Sequence, residues 1–245
     1  MAVEASDKVQ LYKDNLKTKA EKLVIKGFPE KIVEFNKLLE TPLFNHKDMS
    51  KLHHELNIPV PEPIVVNSHN SEPPSKKRNH EGNYISEVDC PRIQLKPGSA
   101  PSNKLVSELI DIVKPHIKQL VEDANLLKMW ISYMIPKIED GNNFGVSVQE
   151  DTLAEIQSVE SEAATYFDQI SRYYVSRGKI VSKVAKYPAI EDYRQAVREL
   201  DEKEYLSLWI VMCEIRNRYC TLHDIVIKNI EKIKKPRSCN SESLY

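Results

Sequence analysis

The sequence predicts an all-α protein, a four-helix bundle of long helices. Three observations carry that expectation. Six glycines against 14 prolines in 245 residues leave too little glycine for the many tight turns of a β-protein or for glycine-rich phosphate loops. Apolar residues recur at three- and four-residue steps over long stretches. A charged fraction of 29% can coat the outer faces of such helices, and 41% hydrophobic residues can fill the core between them.

The first helical region covers residues 5–40, where Val9, Tyr12, Leu16, Leu23, Val24, Ile32, Val33, Phe35, Leu38 and Leu39 form the apolar stripe. Gly27-Phe28-Pro29 predicts a break or kink within it, because proline lacks the amide donor. Nine of the 14 prolines then fall between Pro42 and Pro101. Residues 62–100 hold seven Leu, Ile, Val and Phe, below the ~20% at which packing becomes hard to sustain. The chain is therefore read as an N-terminal helical region (1–61), a flexible or disordered insertion (62–101) and a region of three long helices (102–245).

In that last region Leu105, Leu109, Ile112, Val113, Ile117, Leu120, Val121, Ala124, Leu127, Ile131, Met134 and Ile135 predict a helix of about nine turns, kinked at Pro115. Leu153, Ile156, Val159, Ala163, Phe167, Ile170, Tyr174, Val181 and Val184 mark the next, and Ser147-Val148-Gln149-Glu150 has the pattern of a capping box at its start. The last helix runs from beyond Pro188 to about Lys235. Lysines 228, 232, 234 and 235 suit its negative end, and Pro236 stops it. Two stretches, 126–135 and 205–213, are apolar around most of the helix circumference. They belong either to the centre of one large bundle or to an interface between subunits.

Residues 136–146 (PKIEDGNNFGV) are richer than a plain helix connection requires. Gly141 and Gly145 can supply positive φ, and Asn142 and Asn143 tolerate the left-handed region. Phe144 either tucks back onto the bundle or is presented for recognition.

Composition also excludes. A formal net charge of -1 removes the cationic field of a dedicated binder of nucleic acid or anionic membrane. The cysteines, Cys90, Cys213, Cys220 and Cys239, form no CxxC pair, so a reducing compartment is expected. Met1-Ala2-Val3-Glu4-Ala5 opens no basic-then-apolar leader and no run approaches the roughly 20 apolar residues of a membrane span, so a soluble, intracellular protein is expected. Cys213 and Cys220 share a helix face and are expected to pack as buried apolar groups. The adjacent His53-His54-Glu55 point in different directions on a helix and are read as surface residues. No nucleophile, base and orienting group assemble from the sequence, so neither catalytic, cofactor nor metal residues are assigned.

The run IPKIEDGNNFGVSVQE, the stretches ESEAATYFDQISRYYVSRGKIVSKVAKYP, EDYRQAVRELDEKEYLSL and LHDIVIKNIEKIKKPRS, and the terminal SLY together resemble the 11S (REG) proteasome activator family, closest to its gamma members. The resemblance is dense over 102–245 and looser over 1–60. It implies subunits assembled side by side into a heptameric ring with a central channel, seven identical chains capping the 20S proteasome without ATP or ubiquitin.

By the same resemblance Glu139, Asp140, Gly141, Asn142, Asn143, Phe144 and Gly145 form an activation loop that presses on the proteasome α ring. The segment 238–245, ending in Ser243, Leu244 and Tyr245, forms the anchoring tail. Lys179 lies along the channel through which peptides and unfolded proteins pass, and Lys76, Lys77 and Arg78 direct the protein to the nucleus, with the cytoplasm as the alternative. An oligomeric helical scaffold without proteasome activity is the competing reading from sequence.

Overall fold

The structure, a computed structural model, describes residues 2–44, 52, 53, 55–60 and 99–237. Among them all regular structure is helical. Helix α1 (Ala2–Lys22), a π-helical turn (Leu23–Gly27) and α2 (Phe28–Leu39) follow one another as a first rod. The other three rods are α3 (Lys104–Met134), α4 (Phe144–Lys186) and α5 (Glu191–Lys234). The 43 residues of α4 and 44 of α5 make rods of roughly 65 Å. Helix α4 packs against both α3 and α5, α3 also meets α5, α2 lies on α5 and α1 on α3.

The predicted break at Gly27-Phe28-Pro29 is instead the π-turn. The Phe28 amide reaches back five residues to the Leu23 carbonyl, and Pro29 falls in the first turn of α2 where a missing N–H costs nothing. Val24 and Phe28, four residues apart on one face, are both fully buried. Helix α3 passes through Pro115 as one element. Both Pro115 and Asp111, whose carbonyl loses its donor, are exposed, so water can serve the orphan acceptor.

The core centres on an aromatic cluster. Phe28 meets Tyr219 edge-on at 5.0 Å and Phe35 stacks on it at 5.6 Å. The Tyr219 hydroxyl donates to Asp123 Oδ2 at 2.8 Å, and Lys31 lies 3.7 Å from the same oxygen. Burial, and then the Asp123 charge, raise the pKa of that phenol far above its ordinary range.

A second polar knot lies towards the other end of α4. Asp201 is buried and accepts from Arg177 Nε and Nη2 at 2.9 and 3.3 Å, from the Tyr173 hydroxyl at 2.9 Å and from Asn103 Nδ2 at 2.9 Å. Arg177 Nη1 also donates to the Pro101 carbonyl, and Asn103 to that of Leu52. Four separate segments are thus tied to one carboxylate. Asn103 caps α3 as well, its Oδ1 accepting from the Val106 amide at 3.2 Å.

Several expectations change here. On α4 the buried tyrosine is Tyr173, while Tyr174 is 38% exposed. The buried run Ala163, Ile170, Arg177, Val184 keeps a seven-residue step that the apolar residues alone do not reveal. Val9, Tyr12 and Val33 are more than half exposed on the single chain. Cys213 is half-buried, its thiol pKa raised by burial, but Cys220 is exposed, so the two do not share a buried face. His53 lies on the surface against Glu202. His54 and residues 61–98, which include Lys76, Lys77 and Arg78 and most of the expected insertion 62–101, lie outside the described residues.

Candidate functional site

The end of the bundle where α3 hands over to α4 is also where α5 stops. Helix α3 ends because Ile135 precedes Pro136: the proline ring disfavours helical geometry in the residue before it, and Ile135 is extended at φ -65, ψ 122. From there to Asn143 the chain is non-helical. Gly141 (φ 81) and Asn142 (φ 46) take the left-handed conformation, which glycine adopts freely and asparagine more readily than most residues.

The capping-box expectation is overturned. Helix α4 begins at Phe144, so Ser147 sits inside its first turn, donating its amide to the Asn143 carbonyl at 2.9 Å. Phe144, Gly145 and Val146 are therefore helical residues rather than loop. Gln149 does not serve its own helix start. It is fully buried and donates to the Met134 carbonyl at 3.0 Å and the Ile233 carbonyl at 2.8 Å. One amide thereby satisfies orphan acceptors at the C-termini of both α3 and α5 and pins three rods together.

Gly145 has a use other than positive φ. A Cβ placed there would lie 2.0 Å from the Pro236 carbonyl oxygen, so only glycine lets the strand leaving α5 cross the first turn of α4. Arg237 then turns back onto the loop. Its Nη1 donates to Glu139 Oε2 at 2.9 Å and its Nη2 to Asn143 Oδ1 at 3.2 Å, while Asn143 Nδ2 donates to the Glu139 carbonyl at 3.1 Å.

Around this junction apolar groups face outward. Phe144 is 75% exposed and Ile138 fully exposed, so the phenylalanine is presented and does not tuck back. Glu139, Asp140, Gly141, Asn142 and Asn143 are exposed as well. Together Phe144 and Ile138 put a ring and a branched aliphatic side chain into water at this end of the bundle, more apolar exposure than a passive connection between helices needs. The tail residues 238–245, including Ser243, Leu244 and Tyr245, lie outside the described residues, but the root of the tail at Pro236-Arg237 abuts the loop. Lys179 is exposed on α4 near the opposite end.

A second exposed apolar region runs along α5. Leu206, Trp209 and Ile210 are 39–48% exposed. With Leu39, Asn36, Cys213 and Arg216, Trp209 and Ile210 border a groove of about 600 Å³ against α2. Half of the all-round apolar stretch 205–213 thus faces the neighbouring rods and half faces out.

Sequence reasoning missed Gln149, Pro236 and Arg237 as parts of this end. Proline and arginine in the KKPR run carried only the signal of a helix stop, and Gln149 carried that of a cap on its own helix. Among the described residues no group of three or more His, Cys, Asp and Glu is placed to hold a metal ion, and no helix is long and apolar enough to cross a membrane.

Comparison with known proteins bears on the same regions. The family Proteasome activator PA28, C-terminal, matches residues 99–243, and Proteasome activator PA28, N-terminal, matches 3–63. The proteasome activator complex subunit 3 of Gallus gallus is 49% identical over 241 residues, covering 97% of this chain and 95% of its own. That of Homo sapiens is 48% identical with the same coverage. The crystal structure of the 11S subunit of the Plasmodium falciparum proteasome, PA28, superposes with a TM-score of 0.75 at 30% identity, over 96% of this chain and 92% of that one.

Proposed function

The chain belongs to the PA28 family of proteasome activators, and from that premise we propose that it is a regulatory cap of the 20S proteasome, acting by opening the gate rather than by chemistry on a substrate. Seven copies form a ring. Their tails, ending in Ser243, Leu244 and Tyr245, anchor to the proteasome α ring, and the loop from Glu139 to Asn143, with Phe144 and Gly145 at the start of α4, presses on the gate. The observation that carries this reading is the convergence of loop and tail root at one end of the bundle, where Gly145 lies against Pro236 and Arg237 bonds Glu139 and Asn143.

The physical logic needs no nucleotide. Tails supply affinity, and the loop shifts the gate only by binding its open arrangement better than its closed one. Weak single anchors suffice because seven tethered copies raise the effective concentration of one another. Lys179, exposed on α4, lines the channel in this reading and meets peptides and unfolded proteins in transit. Nuclear placement through Lys76, Lys77 and Arg78 belongs to the same proposal.

The direct test mixes the purified chain with latent 20S proteasome and measures hydrolysis of fluorogenic peptides without ATP. Strong stimulation is expected; no stimulation together with no ring by native mass spectrometry would favour the scaffold reading instead. Deleting Leu244 and Tyr245 should weaken binding to the 20S proteasome by at least about tenfold, because the loss repeats in every copy. A titration showing unchanged affinity would remove the tail from the mechanism.

Assembly is assigned to the outward face of α5, covered by a second copy of the chain. Trp209→Glu places a carboxylate where that face would be desolvated. Native mass spectrometry is expected to find it as monomers or small oligomers with helical content unchanged. A persistent heptamer would move the interface elsewhere.

A further inference from the structure

Resting on the reading of the loop as the part that acts on the gate, we propose that Arg237 is a positioning residue that holds the loop in its working shape from the root of the tail. Glu139 and Asn143 bracket the three-residue tip Asp140-Gly141-Asn142. Arg237 reaches both brackets at once, Glu139 Oε2 at 2.9 Å and Asn143 Oδ1 at 3.2 Å, and the Asn143 side chain closes the triangle on the Glu139 carbonyl at 3.1 Å. The tip is thus clamped at its base by a residue from the far end of the chain.

The guanidinium suits this task because its planar fork serves two acceptors in fixed directions, which an ammonium cannot. Its surroundings are unlike those of an ordinary surface ion pair: the Arg237 side chain is 19% exposed while that of Glu139 is 63% exposed. The backbone leading into Arg237 is committed too. Pro236 cannot extend α5, and its carbonyl occupies the space that a side chain at 145 would fill. Arg237 therefore enters the loop from a strand whose path is fixed by α4.

The consequence is a mechanical link. Tyr245 lies eight positions beyond Arg237, within about 28 Å along an extended chain, so a tail anchored at Ser243, Leu244 and Tyr245 also sets where the clamp sits above the proteasome. Tail docking and loop shape are two functions meeting at one side chain. Removing that side chain should separate them, leaving affinity with the tail and taking gate opening from the loop.

The test uses Arg237→Ala in the full-length ring, with assembly checked by native mass spectrometry. In the free ring, hydrogen exchange at the amides of residues 140–143 should quicken by about tenfold or more while the buried core of α3 is unchanged. In titrations against latent 20S proteasome, maximal peptide hydrolysis at saturation should fall about fivefold or more, with the half-saturating concentration shifted less than about threefold. Arg237→Lys should recover an intermediate maximum, since it keeps the charge but reaches only one acceptor at a time.

Unchanged exchange in the loop would overturn the proposal. So would full stimulation at saturation, or a loss confined to affinity, which would place Arg237 in tail docking alone. A wild-type ring that fails to stimulate the proteasome would sink the functional reading, and the exchange result would then decide the clamp by itself.

Discussion

Asn142→Tyr is expected to abolish stimulation of peptide hydrolysis while leaving the ring assembled and its affinity for the 20S proteasome within a factor of about three, since the substitution touches neither tails nor subunit faces. The reason lies in the backbone. Asn142 holds φ 46 directly after Gly141 at φ 81, so the tip reverses direction through two successive left-handed residues. Left-handed geometry costs an ordinary L-residue roughly 1–2 kcal/mol, because Cβ crowds the following carbonyl. Tyrosine has no short polar side chain with which to offset that cost. The tip relaxes towards another path, and in the proposed mechanism a bulky ring then stands where the loop would meet the gate.

Asn142→Gly separates the two contributions. Glycine keeps the backbone path, so this variant retains stimulation if shape alone matters and loses it if the amide side chain contacts the gate. Rates of fluorogenic peptide hydrolysis at saturating activator, beside a binding titration, provide the measurement. Full stimulation by Asn142→Tyr would remove the loop tip from the mechanism.

Arg177→Met has the largest expected effect on stability. It removes the cation from Asp201, which is 2% exposed, and leaves a buried carboxylate served only by Tyr173 and Asn103. Removing one partner of a buried ion pair costs about 3–5 kcal/mol, on the order of 10 °C in thermal midpoint for a chain of this length. The Pro101 carbonyl loses its donor in the same step, so the approach to α3 loosens with it.

The double variant Arg177→Met, Asp201→Asn leaves no unpaired charge and should recover much of the loss. Thermal unfolding followed by circular dichroism distinguishes these outcomes, and an unchanged midpoint for the single variant would contradict the role assigned to the pair. The loop between α3 and α4 should be spared. Arg177 lies 33 residues beyond the start of α4, about 50 Å along the helix.

How far the sequence reaches depends on the range of the force involved. Ile135-Pro136 ends α3 as expected because the clash is between adjacent residues. Gly141 and Asn142 take positive φ as their side chains allow. Glu191 and Asp192 open α5 and lysines close it, in line with the helix dipole. Where a reading needed to know what lay opposite, it went astray. Gly145 was assigned conformational freedom and serves instead a close approach by Pro236. Tyr174 fitted the apolar stripe as well as Tyr173, but only the neighbour across the bundle, Asp201, selects Tyr173 for burial. Ser147-Val148-Gln149-Glu150 matched a cap, yet the helix starts earlier and Gln149 is drawn to the ends of two other rods.

The sequence by itself determined that this protein is built from long helices, where most of them begin and end, and that a left-handed turn stands between the second and third rods. Each of these follows from apolar period, proline and the φ preferences of single residues, which act within a few positions along the chain. Only the tertiary structure decided that Gln149 joins three helices, that Arg177 and Asp201 meet 24 positions apart, and that Arg237 reaches Glu139 across 98. Those pairings depend on how the rods are set against one another in rotation and height. A helical period repeats nearly identically with every turn, so it carries no mark of which turn will face which.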